Sequence, residues 1–245
     1  MKIKALPKLL FVFFLSSLFG CDNEDDPQEP QLPEVVTVSD ETEAAVTYTS
    51  VEINGSIKET DEITAYGVAW GTEPNPTLED NVAFPESGAA ATSSSNRYST
   101  KQAEDSFVVR ITDLDLGETY YFRTFATNDA GTAYGDEISL ETPGLAESTW
   151  KITFHHEEDV SWMAHLSFYE DGTAFYTEPD APGVYDSWGV WHLEGNFLTY
   201  DMLPDDDRDD YILTGDIIEN EVSGTYTWGD SNRPWSGFVI STEED

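Results

Sequence analysis

The stretch SWMAHLSFYEDGTAFY, residues 161–176, decides the fold class. Trp162, Ala164, Leu166 and Phe168 occupy every second position, which puts all four on one face of a strand. Glu170-Asp171-Gly172 then breaks the pattern. It is a hairpin signal, because glycine accepts positive φ without steric cost. Outward from this hairpin the same punctuation recurs. Eight strands are expected, at 149–156, 161–169, 173–178, 186–193, 196–203, 210–216, 221–228 and 235–241. Glu194-Gly195-Asn196 and Glu219-Asn220 supply further turns. Val222, Tyr226 and Trp228 share a face in a late strand. Eight sequential strands on short connections imply an up-and-down barrel or a strongly curved meander over residues 148–245.

The preceding part of the chain also reads as strands. Val51, Ile53 and Gly55 alternate with polar positions in VEINGSI. Tyr66, Val68 and Trp70 do so in AYGVAWG, and Phe107, Val109 and Ile111 in FVVRI. Short alternating strands between turn signals argue for two packed antiparallel sheets over residues 34–143. Leu145-Ala146-Glu147 reads as a short linker between the two units. Between Gly71 and Ser106 the small, uncharged residues at 87–96 predict a flexible loop.

Two family resemblances follow from these residues. LDLGETYYFRTFATNDAGTAYGDEISLETP, residues 114–143, resembles the end of a fibronectin type III domain at Leu116, Gly117, Tyr120, Phe122, Thr124, Ala126, Asn128 and Gly131. The resemblance implies a sandwich in which the Tyr120 hydroxyl bonds to backbone a few residues upstream. STWKITF, LSFYEDGTAFY, GVWHLEGNFLTY and YILTGDIIENEVSGTY resemble the lipocalin-like domains of bacterial lipoproteins. That resemblance implies an eight-stranded barrel filled by side chains or hollow enough for one small ligand. The expected fold class is therefore all-β: a fibronectin type III-like sandwich followed by a lipocalin-like barrel or meander.

Charge narrows the partners. Forty-nine acidic residues face eleven basic ones, for a net charge of −38, which repels nucleic acid and excludes it as a partner. Aromatic residues make up 13% of the chain, too many for a disordered acidic protein, so the acids must coat folded domains. Lys2, Lys4 and Lys8 precede the apolar run Leu9–Phe19, which has the length of a secretory h-region and is short for a membrane span. Leu18-Phe19-Gly20-Cys21 resembles the bacterial lipobox, with Phe19 departing from the usual small or aliphatic residue. The resemblance implies cleavage after residue 20 and acylation of Cys21. Each buried CH₂ contributes about 0.8 kcal/mol to such an anchor. Residues 21–33, acidic and carrying Pro27, Pro30 and Pro33, then form an extended tether to the bilayer. A cysteine followed closely by acids also resembles a surface-export signal, which implies an outer-membrane, surface-exposed location. Cys21 is the one cysteine in the chain, so the domains are expected to hold together without disulfides.

Motifs for chemistry are sparse. His155 and His156 are adjacent and point to opposite faces of a strand, and His165 and His192 lie in separate strands, so no zinc spacing results. Asp205, Asp207 and Asp209 alternate as calcium-loop ligands do. Asp210 stands where such a loop has glycine and Asp216 where it has glutamate, so the run is a weak calcium candidate and otherwise a solvated turn. No nucleophile elbow, phosphate loop or dinucleotide fingerprint is present, and neither a catalytic residue nor a cofactor is expected. Six of the seven tryptophans lie beyond residue 148. Trp162, Trp188 and Trp191 are the ligand-binding candidates, because exposed indoles stack on sugars and apolar ligands; the alternative for each is core filling. The expected function is a non-enzymatic lipoprotein whose barrel binds a small hydrophobic ligand or glycan, or a membrane partner. An extracellular polysaccharide hydrolase or its accessory, and a purely structural surface protein, are the alternatives.

Overall fold

A computed structural model describes residues 31–38, 45–58, 63–85, 105–157, 160–202, 211–228 and 231–242. Every regular element among them is a β-strand. The first half forms two sheets. β1 (Glu34–Val38), β2 (Val51–Lys58) and β5 (Asp105–Ile111) make one, in the order β1-β2-β5. The other runs β4 (Asn81–Ala83), β3 (Ala65–Gly71), β6 (Thr119–Asn128), β7 (Gly131–Tyr134). β8 (Ile138–Glu141) joins it by pairing with the first half of β6.

The alternation read from the sequence is what packs these sheets. Val51, Ile53, Val109 and Ile111 from one face meet Val68, Tyr120 and Phe122 from the other. The Tyr120 hydroxyl accepts a 3.0 Å hydrogen bond from the backbone N–H of Asp115, five residues upstream, as its place at a sandwich corner requires. β4 was not foreseen. It lies within the stretch expected to be loop, where residues 87–96 fall outside the described residues. Its three residues carry too little alternation to register as a strand, and it is held by register with Val68, Ala69 and Trp70.

The second half is a closed barrel. β9 (Ser148–Glu157), β10 (Val160–Phe168), β11 (Thr173–Thr177), β12 (Ser187–Glu194), β13 (Phe197–Asp201), β14 (Ile212–Ile218), β15 (Glu221–Trp228) and β16 (Ser231–Thr242) pair antiparallel with sequence neighbours. β16 returns to β9 and closes the circle. Full closure leaves no unpaired edge, the usual aggregation hazard of an all-β domain. Gly172 and Gly195, at φ of 82° and 60°, form two of the hairpin turns as expected. Glu219 supplies a third at φ 59°, a conformation that costs a non-glycine residue free energy.

Leu145-Ala146-Glu147 is more than a linker. Leu145 is buried in the barrel core, and Tyr48, from the sandwich loop before β2, is 1% exposed in the same core. The Tyr48 ring meets Trp150 edge-on at 5.1 Å. Around it the backbone N–H of Tyr48 donates to the Glu219 carbonyl at 3.2 Å, and the Glu219 N–H donates to the Thr49 hydroxyl at 2.7 Å. Arg110 on β5 pairs with both Glu52 and Glu219. The sandwich thus closes one end of the barrel.

Candidate functional site

The barrel interior divides into a packed half and a hollow one. Toward the sandwich, Trp150, Ile152, Leu166, Phe168, Leu198 and Ile217 fill the bore. At the other end lies a cavity of about 560 Å³, within the range that takes a small organic ligand. The same parity rule builds both halves. Residues at even spacing from Trp150 on β9 and from Leu166 on β10 point inward. Phe154 and Trp162 are therefore the next inward residues toward the mouth.

Phe154 and Trp162 stack in parallel at 5.0 Å, and Tyr226 stands edge-on to Phe154 at 4.9 Å. Tyr176 from β11, Leu213 from β14 and Met202 beyond β13 continue the wall, with Tyr185, Ser187 and Tyr211 toward the rim. One carboxylate, Glu178, joins them. The Trp162 indole N–H donates to the Tyr176 hydroxyl at 3.1 Å, which in turn donates to Glu178 Oε1 at 2.8 Å. Burial, then the acceptor carboxylate, push the Tyr176 pKa well above its ordinary value. Tyr200 is fully buried, and its hydroxyl has no hydrogen-bond partner among the described residues. Burial, and after it the charge of Asp201, hold its pKa up as well. Arg233, inward-facing with Trp235 on β16, donates to the His156 carbonyl. Comparison with protein-family models, curated proteins and solved structures returns no match. The site's chemistry must therefore be read from its own residues.

The three candidate tryptophans part company. Trp162 lines the cavity. Trp191 also turns toward the barrel interior, but in the packed half: its ring is edge-on to Phe168 at 5.8 Å and its N–H donates to the Tyr169 carbonyl at 3.2 Å. Trp188 faces outward, 58% exposed, over Phe175 at 4.9 Å and Tyr169 at 5.4 Å. Cys21 and the run Asp205, Asp207, Asp209 lie outside the described residues. Among the described residues no group of three or more His, Cys, Asp or Glu is placed to hold a metal ion. His155 and His156 do point to opposite sides of β9, His155 toward Ser236 and His156 toward Tyr226.

Phe154, Tyr176, Glu178 and Tyr226 are not among the site candidates the sequence offers, although Tyr226 is read there as sharing a strand face with Val222. Parity would have found the three aromatics as inward residues. It would not have told which end of the barrel is open, because the residue that shuts the other end, Tyr48, comes from a different sheet system.

Proposed function

We propose that this chain is a lipid-anchored envelope protein, without catalytic activity, whose barrel binds one small apolar ligand. The aromatic-walled cavity, open at one end of an otherwise filled barrel, is the observation that carries the reading. A purely structural barrel would have its bore filled throughout, whereas here packing stops halfway. Hydrolysis of a glycoside by paired acids needs two carboxylates facing each other across ~5–10 Å, and among the described residues the lining offers Glu178 alone.

The chain's course supports a presenting role. Glu34 pairs with Lys58, and Asn128 donates to the Gln31 carbonyl, so the tether enters the sandwich at the end away from Tyr48. With Cys21 acylated, the sandwich would stand between bilayer and barrel, and the mouth would face outward.

The neutral fluorophore N-phenyl-1-naphthylamine tests the cavity. It should bind the mature chain, and Met202→Trp, which adds bulk to the lining, should weaken it about tenfold without lowering the unfolding midpoint. Equal binding by the variant would place the fluorophore elsewhere and sink the reading. The anchor has its own test: Cys21→Ser should abolish labelled fatty-acid incorporation and move the protein out of the membrane fraction.

A second reading, contact with glycan, rests on the outward, exposed Trp188 with the tilted rings of Phe175 and Tyr169 beside it, an aromatic cluster whose indole face can meet the CH face of a sugar ring. Trp188→Ala should then abolish retention on insoluble polysaccharide and leave fluorophore binding intact.

A further inference from the structure

Among the described residues, one carboxylate stands in the wall of a largely aromatic chamber. Glu178 receives the Tyr176 hydroxyl at 2.8 Å, and Tyr176 receives the Trp162 indole N–H at 3.1 Å. Each donor in that chain is aimed toward the carboxylate, which holds it at the mouth instead of leaving it to swing into solvent. The ion pairs among the described residues lie elsewhere, at Lys58 and Arg110. Arg233 is the inward-facing cation of the wall. It stands opposite Tyr226 in the β15–β16 register, three steps round the barrel from β11, and its guanidinium donates to the His156 carbonyl, so the positive side of the wall lies across the cavity from Glu178.

Around Glu178 the rings of Trp162, Tyr176, Tyr185, Tyr211 and Tyr226 enclose the cavity. The face of each ring carries negative electrostatic potential, so a cation held among them gains from the rings and from the carboxylate together. A neutral molecule of the same shape gains only apolar burial, and an anion is opposed by both. Phe154, Leu213 and Met202 supply the uncharged remainder of the wall.

We infer that the cavity selects an organic cation, a protonated amine or quaternary ammonium on an apolar body, with its charged head beside Glu178. The inference rests on the ligand-binding reading given above and adds the charge of the ligand.

Three compounds of matched shape test it by displacing N-phenyl-1-naphthylamine from the mature chain at physiological ionic strength, where attraction by the distant surface acids is screened. They are benzyltrimethylammonium, its carbon isostere neopentylbenzene, and benzylsulfonate. The ammonium should displace the fluorophore at about tenfold lower concentration than the isostere, with the sulfonate weakest. Glu178→Gln should shrink the ammonium–isostere gap to about twofold, with each competitor scored against the variant's own fluorophore affinity. An isostere or sulfonate that competes as well as the ammonium, or a gap that survives Glu178→Gln, overturns the cation assignment and leaves the cavity as a ligand site. If the fluorophore does not bind and calorimetry detects none of the three compounds, the cavity reading itself fails, and the cation assignment with it.

Discussion

Single tyrosines in this protein have opposite energetic characters that only their partners reveal. Tyr120 and Tyr200 are both buried, but the first receives a backbone N–H and the second has no partner. Tyr120→Phe should therefore destabilise by about 1 kcal/mol, the net value of one hydrogen bond. Tyr200→Phe should be neutral or stabilise by up to about 1 kcal/mol, since it removes a desolvated hydroxyl that nothing compensates. Urea unfolding of the two variants separates the cases; equal losses would contradict the assigned partners. Tyr176 and Tyr200 also set an alkaline limit. Burial raises both pKa values, whereas tyrosines of the unfolded chain ionise near about pH 10. The unfolded state thus releases protons first. Stability is full below about pH 10 and declines as pH rises beyond it. Replacing both residues with Phe should flatten that decline in urea midpoints taken across the range. Legibility at this scale was uneven. The even spacing of Trp162 with Ala164, Leu166 and Phe168 placed it inward, and so it proved. For Trp188 and Trp191 the sequence showed only that they face opposite ways, because β12 has both an exposed and a half-buried side rich in apolar residues.

Among the elements, strands with clean alternation and glycine-marked turns were legible almost to their ends, whereas β4 was not. What the pattern did not reveal is how the barrel wall is shaped from within. Gly215 on β14 and Gly224 on β15 are directly paired, and the Trp235 indole lies against Gly215, donating to the Thr214 and Thr225 carbonyls at 3.0 and 3.2 Å. A Cβ on Gly224 would come within 1.8 Å of the Thr214 carbonyl oxygen, a backbone atom that cannot give way locally. Gly224→Ala should cost about 1–3 kcal/mol or more, as overpacking does, and should perturb the Trp235 environment in near-ultraviolet circular dichroism. An unaltered spectrum and midpoint would mean that the strands can part there. Read alone, each glycine looks like a weak point in a strand; paired beneath an indole, the two make the space it fills.

For the whole molecule, the sequence divided the chain into sandwich and barrel, and the structure joins them through Tyr48, Leu145 and Glu219. That joint was illegible because Tyr48 lies about a hundred residues or more before Leu145 and Glu219 and carries no local pattern that points to them. Tyr48→Ala should cost about 3–5 kcal/mol, the range for a deleted core aromatic, although Tyr48 belongs by sequence to the other unit. Sandwich and barrel should unfold in one transition in the wild type. A separate early loss of the barrel signal is expected in Tyr48→Ala, and two independent transitions in the wild type would contradict the coupling. The seal at Tyr48 has a kinetic corollary as well. Among the described residues the cavity has one opening, so under the proposed function a bound ligand would enter and leave by the same passage and two molecules could not queue through it. Such a domain is a cul-de-sac, which would suit holding a cargo or delivering it by turning back and would not suit conducting one through the bore.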